Sequence, residues 1–322
     1  MRLLTAQDVR TALPMRDAIE AMRIGFIALS EGWATVPVRS SLPTAGGILL
    51  TMPSHLEAVS VVKLVSVAGG NTERNLPVVI ASVIVIDGET GQPLALMDGS
   101  SLTAIRTGAG AGLATELLAK PEASILGVIG AGVQARTQIE AVCTVRRITE
   151  IRVYCRTLAK SQALVDELQP NYDARLRAVN SEADALQGAD VIVAATSSAD
   201  PVVHRQYVSP GAHINGVGSY TPQMQEVDAD IVTQAKVVVD HRDSVWEEAG
   251  DLIIPRDQGL FKESDIYAEI GEIAAEKLPG RTSDDEITFF KSVGNAVQDN
   301  MAAQYVLLAA HRYGFGTEIT LN

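Results

Sequence analysis

The apolar positions of the chain change their period as it proceeds. After Pro14 they fall at Ile19, Met22, Phe26 and Leu29, one face of a helix entered through a proline, so a helix is predicted to about Glu31. The stretches TVPVRSSL, GILLTM, AVSVVKLVSV, LPVVIASVIVI and QPLALM come next. Each is short, rich in β-branched or aliphatic residues and bounded by Gly, Asn, Pro or Asp, which predicts strands. DGETG, from Asp87 to Gly91, reads as a hairpin turn, so this part is expected to form an antiparallel or mixed sheet. From Ser100 to Lys120 the small-residue run SSLTAIRTGAGAGLATELLAK predicts a helix that allows close backbone approach and ends before Pro121.

The pattern then alternates. SILGVIG, EIRVYC, ADVIVAAT, AHINGVG and AKVVVD read as strands, with VQARTQIEAV and LAKSQALVDEL as helices among them. That alternation predicts a doubly wound parallel sheet, and the fold class is α/β. Residues 122–292 are expected to form this domain and residues 1–121 a smaller α+β domain. In the remaining segment, 293–322, the last helix runs from about Gly294 to Tyr313 and returns to the first domain. There is no internal repeat and no low-complexity segment.

A chain of 322 residues accommodates two such domains. Its 39 acidic and 26 basic residues give a formal charge of −13, which repels phosphate backbones and anionic membranes. No basic cluster with interleaved aromatics offsets it, so nucleic acid is not an expected partner. LPVVIASVIVI is too short to span a bilayer. The N-terminus, MRLLTAQDVRTALP, carries Arg2, Asp8 and Arg10 and has no apolar core of signal-peptide length, so a cytoplasmic protein with no membrane partner is expected. Cys143 and Cys155 cannot make a disulfide framework, and the five histidines lie far apart, so no structural metal is expected.

Within ASILGVIGAGVQARTQIEAV, Gly130-Ala131-Gly132-Val133-Gln134-Ala135 follows a predicted strand and opens a predicted helix. It matches the dinucleotide pattern G-x-G-x-x-A: a glycine for the tight turn, a second for the approach of a pyrophosphate, and a small residue for helix packing. The N–H groups of the helix beginning at Val133 and Gln134 would face the phosphates. The next strand of an NAD binder usually ends in an acid for the ribose, but here it ends in Cys155-Arg156-Thr157. A guanidinium and a hydroxyl suit a 2′-phosphate, which favours NADPH with NADH still possible; the alternative is a solvated loop arginine.

Three cations of the first part sit among apolar or small residues. Lys63 shares a strand face with Val61 and Val65, where an ammonium needs a partner; the alternative is an edge-strand lysine that blunts aggregation. Arg39 in VPVRSSL and Arg106 in TAIRTGAG would together clamp a carboxylate bidentately, unless each belongs to a structural ion pair.

These stretches, with DGETGQPLALMDGSSLTAIRTGA, ADVIVAATSS, INGVGSYTPQMQEVD, PGR at Pro279 to Arg281 and EITFFKSVGNAVQD, resemble the ornithine cyclodeaminase and mu-crystallin family over nearly the whole chain. That family also includes archaeal alanine dehydrogenases and reductases of cyclic ketimines. The resemblance implies a Rossmann-type nucleotide domain and a substrate-binding domain that pairs with its copy in a homodimer, with the active site where the two domains meet. It implies that Arg39 and Arg106 bind the substrate carboxylate and that Lys63 hydrogen-bonds the substrate and handles a proton. Arg106, Thr107, Thr196 and the Ser292-Val293-Gly294 turn match places that line the cofactor.

One departure stands out. In the deaminating relatives an aspartate lies two residues before the proline of the loop after INGVG; Tyr220 holds that place before Pro222. A phenol titrates far above a carboxylic acid and is a poor substitute for that base. Glu226 and Asp228 lie nearby, with helix capping as their expected role. The resemblance therefore implies an NADPH-dependent reductase of cyclic imines with an adjacent carboxylate, with Tyr220 among the substrate contacts. The alternatives are an alanine or opine-type dehydrogenase acting on a keto acid, an ornithine cyclodeaminase, and a non-catalytic NADPH-binding protein.

Overall fold

The chain opens with two elements too short to show a period, β1 (Arg2–Leu4) and α1 (Ala6–Ala12). A capping box holds the start of α1: the Thr5 hydroxyl accepts from the Asp8 backbone N–H, and the Asp8 carboxylate from that of Thr5. Helix α2 (Met15–Ser30) follows Pro14 and buries Ile19, Met22 and Phe26 of the predicted face together with Met15, while Leu29 is half-buried. Strands β2 (Ser40–Thr44), β3 (Gly47–Leu56), β4 (Val59–Val67), β5 (Val79–Asp87) and β6 (Pro93–Asp98) lead into helix α3 (Gly99–Leu118). TVPVRSSL is not a strand throughout. Only its end pairs with β3, and ahead of it Thr35 makes a lone bridge to His55, because Pro37 has no N–H for a ladder.

After α3 come β7 (Ile125–Ile129), α4 (Val133–Val145), β8 (Glu150–Tyr154), α5 (Leu158–Leu168), β9 (Arg175–Ala178), α6 (Glu182–Leu186), β10 (Val191–Ala194) and β11 (His213–Gly216). The chain continues through α7 (Ala229–Gln234), β12 (Lys236–Val239), α8 (Arg242–Glu248), α9 (Gly250–Asp257), β13 (Ile266–Glu269), α10 (Ile270–Ala274) and β14 (Thr288–Lys291). Helix α11 (Ala296–Tyr313) and β15 (Thr317–Glu318) close it. This computed structural model describes residues 1–320. Two units form, one from Met1–Arg106 with the segment from Asn295 on, the other Thr107–Gly294, and the division falls inside α3.

In the first unit the sheet order is β15-β1-β6-β5-β4-β3-β2, antiparallel except where β1 runs parallel to β6. Val61, Lys63 and Val65 share the buried face of β4. Helix α11 packs against β3, β4 and β5, and α2 packs on α11. It begins at an Asn295 cap with a capping box to Gln298 and ends at Gly314, whose φ of +77° is the left-handed stop. On the sheet's other face Leu42, Leu49, Val62, Leu64, Ile80 and Ile84 are half-buried or exposed.

The second unit holds an all-parallel sheet of order β13-β12-β14-β11-β10-β7-β8-β9. Strands β7 and β10 are apolar on both faces, as a sheet covered on both sides requires, with Ile129, Ile192 and Ala194 in one core and Leu126, Val128, Val191 and Val193 in the other, while β11 and β14 bury His213, Asn215, Thr288 and Lys291 beside their apolar residues. The strand order reverses at β7 and β10, the topological switch point at whose carboxyl ends ligands bind in such sheets. Arg146 donates to the carbonyls of Thr115, Glu116, Ala119 and Lys120, and Arg281 to that of Leu118, so two guanidiniums satisfy the carboxyl end of α3. Among the described residues no helix is long and apolar enough to cross a membrane.

Candidate active site

At the switch point β7 ends in Gly130-Ala131-Gly132 and α4 begins at Val133. Gly130 has φ of +119°, and a Cβ there would lie 2.4 Å from the Ala195 carbonyl oxygen, so no other residue fits. Gly132 is the N-cap of α4 and no side chain caps the helix. A Cβ on Gly132 would meet nothing within 4 Å, which leaves open space over the first turn. Val133 is exposed, the buried Gln134 Oε1 has no hydrogen-bond partner, and Ala135 is fully buried against the sheet. Arg136 donates to the Gly132 carbonyl at 3.0 Å and pairs with Glu167, which fixes the turn from below. Free helix N–H groups, a side-chain-free approach and the switch point together fit the pyrophosphate of a dinucleotide.

Beside β7, β8 runs into Cys155-Arg156-Thr157. Thr157 is the N-cap of α5 but makes no side-chain cap bond, and Arg156 is exposed with no hydrogen bond or ion pair among the described residues. A cation and a hydroxyl thus stand uncommitted at a helix N-terminus, an arrangement that suits a phosphate on the ribose. Thr107 lies at the start of the second unit, and its carbonyl accepts from Gln138 of α4 at 3.2 Å.

Buried carboxylates anchor the other predicted cofactor neighbours. Glu226 is fully buried; one oxygen accepts from the Thr196 N–H at 2.6 Å and hydroxyl at 2.7 Å, the other from the Gly218 N–H at 2.6 Å. It ties the loop after β10 to the loop after β11. Burial and then the neighbouring Asp251 raise Glu226 to about 7, against the opposing charge of Lys291. Asp240, after β12, does the same for the turn after β14: it accepts from the Ser292 hydroxyl and the Val293 and Gly294 N–H groups at 2.7, 3.0 and 2.8 Å. The Thr196 and Ser292 hydroxyl protons therefore go to carboxylates, and the loop backbones are what these residues hold in place.

The capping role expected of Glu226 and Asp228 is corrected. Asp228 occupies the N-cap of α7 without a side-chain cap bond, because its carboxylate is turned to the Arg205 N–H at 2.9 Å. Tyr220 is 42 % exposed in the loop after β11.

In the first unit the predicted cations come together. Lys63 is 1 % exposed, and its Nζ lies 2.7 Å from Asp299 Oδ2. The other oxygen of Asp299, itself 0 % exposed, is 3.1 Å from Arg106 Nε, and Arg106 Nη1 donates to Gln298 Oε1 at 2.9 Å. Arg39, half-buried ahead of β2, adds a third positive charge close enough to bear on Lys63. Burial, then the Arg106 charge, bring Lys63 down to about 8, and Asp299 opposes the shift. The edge-strand reading of Lys63 does not hold, since β4 is flanked by β3 and β5.

Asp299 is the functional candidate that sequence reasoning passed over. An acid in the first turn of a helix ordinarily complements the helix dipole. The signal that pointed to it was the need of a strand-face lysine for a partner. Lys291, which meets Asp251 at 3.0 Å with both side chains fully buried, was missed with its strand β14.

The chain is similar to known proteins over nearly its whole length. The family model of the ornithine cyclodeaminase/mu-crystallin family matches residues 1–312. A Delta(1)-pyrroline-2-carboxylate reductase of Bacillus cereus is 38 % identical over 324 aligned positions covering 99 % of either chain. The structure of Thermococcus litoralis Delta(1)-pyrroline-2-carboxylate reductase in complex with NADH and L-proline superposes with a TM-score of 0.95 at 39 % identity, covering 99 % of this chain and 100 % of that one. An archaeal alanine dehydrogenase dimer with bound NAD gives 0.94 at 34 % identity, covering 100 % and 99 %.

Proposed function

We propose that this chain, which belongs to the ornithine cyclodeaminase/mu-crystallin family, reduces a cyclic imine bearing an adjacent carboxylate to the L-amino acid with NADPH. Δ1-Pyrroline-2-carboxylate and its six-membered homologue, Δ1-piperideine-2-carboxylate, are the substrates. The observation that carries the reading is the set around Lys63. Two buried cations, Lys63 and Arg106, share the single carboxylate of Asp299, and an anionic substrate relieves that excess of positive charge. The full-length likeness to pyrroline-2-carboxylate reductases supports the choice of substrate.

The chain's own residues divide the work. Arg106 has its Nε and Nη1 engaged on α11, while Nη2 has no partner among the described residues and is free to donate to the substrate carboxylate together with Arg39. Lys63 is ion-paired with Asp299 and turns its ammonium to the substrate, where it holds the proton on the imine nitrogen. The nicotinamide cofactor supplies the hydride to the imine carbon when bound. Residues that would hold it are Gly130, Gly132, Val133 and Gln134 at the pyrophosphate, Thr107, Thr196 and Ser292 along its length, and Arg156 and Thr157 at the ribose. A cyclic imine is readily protonated, so this direction needs no strong base, and Tyr220 in place of a carboxylate is compatible with it.

Steady-state assays of NADPH absorbance across cyclic imines and keto acids test the reading. The highest kcat/KM is expected for a cyclic imine. Faster turnover of pyruvate with ammonia would make the chain an alanine dehydrogenase, and NADPH binding with no turnover of any imine would make it a non-catalytic binder.

The cofactor preference rests on Arg156. Arg156→Ala is expected to raise the KM for NADPH by about tenfold and to leave NADH within about twofold, since only a 2′-phosphate contact is lost. Equal losses for both cofactors would return Arg156 to a solvated loop residue.

The working form is a homodimer paired through the sheet of the first unit. The apolar outer face carrying Leu42, Leu64 and Ile80 supports this, as does the dimeric alanine dehydrogenase. Leu64→Asp is expected to give a monomer by light scattering; an undisturbed dimer would place the interface elsewhere. The reaction belongs in the cytoplasm, in keeping with the free thiols of Cys143 and Cys155, and cell fractionation checks that.

A further inference from the structure

We infer that Asp299 is a positioning residue for the reaction: its two oxygens fix the Lys63 ammonium and the Arg106 guanidinium in one arrangement and keep the lysine protonated for the substrate. The inference rests on the roles proposed above for Lys63 and Arg106.

The geometry is specific. Asp299 lies in the first turn of α11, a helix set by the Asn295 cap and by Gln298, whose Oε1 accepts from the Asn295 N–H at 3.1 Å and from Arg106 Nη1 at 2.9 Å. Consecutive residues, Gln298 and Asp299, thus engage Nη1 and Nε of one guanidinium and leave Nη2 for a ligand. The second oxygen of Asp299 reaches Lys63 across the sheet face at 2.7 Å.

The electrostatics explain why a neutral acceptor does not suffice. The charged groups that face Lys63 are Asp299 from α11, Arg106 from α3 and Arg39 from the segment before β2, and its cross-strand neighbours Met52 and Val83 carry no charge. Burial and two cations favour the neutral amine, and among the described residues Asp299 is the anion that opposes them. A lysine titrating at about 8 is mostly protonated at neutral pH and loses its proton as the pH rises through that value. Activity that needs the ammonium should therefore fall on the alkaline side. Without the charge of Asp299 the amine would titrate lower still, and the fall would begin at lower pH.

The test compares wild type, Asp299→Asn and Asp299→Glu. Asparagine keeps the shape and one acceptor but removes the charge. Two readouts are taken: kcat against pH with saturating Δ1-pyrroline-2-carboxylate and NADPH, and direct titration of Lys63 without substrate, by NMR of protein labelled with 13C at lysine Cε. The Lys63 signal is assigned by its loss in Lys63→Met. With Asp299→Asn the alkaline limb and the Lys63 titration are both expected to move down by about one pH unit or more. With Asp299→Glu the titration should stay near wild type, while kcat falls because the longer side chain displaces both cations. A Lys63 titration unchanged in Asp299→Asn would overturn the inference. If Asp299→Asn does not fold, Asp299→Glu decides: a lysine that titrates well below wild type despite the retained charge overturns it, and one near wild type supports it. Should wild type reduce no imine at all, the proposed function fails, and the NMR titration still judges the hold of Asp299 on Lys63.

Discussion

Lys63→Met is expected to lower kcat by about a hundredfold or more, the range attributable to a positioned proton-handling group. Methionine keeps the length of the side chain and fills the same place between Met52 and Val83, but it removes the ammonium and every donor. Asp299 would then face Arg106 alone, so the guanidinium should keep its place and the KM for the imine should change far less than kcat. The proposed cofactor cradle uses other elements, the Gly130–Ala135 turn and the loops after β8, β10 and β14, so NADPH binding should stay within about twofold as measured by fluorescence titration. Such a split between kcat and KM places the lysine in the chemical step. Loss of kcat by less than about threefold would leave Lys63 as a structural member of the ion cluster.

Arg106→Lys is expected to lower kcat/KM by about tenfold or more, chiefly through KM. The wild-type side chain places Nε 3.1 Å from Asp299 and donates from Nη1 to Gln298, and Nη2 bonds to neither. A single ammonium keeps the charge but cannot hold the helix and the substrate carboxylate in the same fixed plane. Arg39→Lys should act in the same direction, because the proposed clamp uses both guanidiniums. Unchanged kinetics in both variants would show that neither arginine meets the substrate, and the excess positive charge would need another explanation.

The sequence was most readable where physics is local. The glycine turn is the clearest case: the positive φ at Gly130 and the missing cap at Gly132 are properties of a few consecutive residues, and the pattern G-x-G-x-x-A encodes them. Alternation along AVSVVKLVSV placed Lys63 on the inner face of β4 with Val61 and Val65. The period of α2 was legible for the same reason, and α3 was read from its run of small residues.

What escaped depends on partners distant in the chain. Strand β14 has the short sequence TFFK, and its insertion between β11 and β12 follows from packing that no local pattern records. Asp299 pairs with Lys63 across most of the chain length. Glu226 was read as a cap because acids near helix starts usually are. The loops after β10 and β11 instead present N–H groups that a buried carboxylate must satisfy, and those tertiary bonds took precedence.

The central claim is that hydride reaches the imine carbon of a carboxylate-bearing ring. Incubation of Δ1-pyrroline-2-carboxylate with NADPH dideuterated at C4 of the nicotinamide tests it most directly. L-Proline carrying one deuterium at Cα is expected by mass spectrometry and NMR, one equivalent for each NADPH consumed and with no ammonia released. Unlabelled proline, or proline formed from ornithine with ammonia release and no net loss of NADPH, would contradict it.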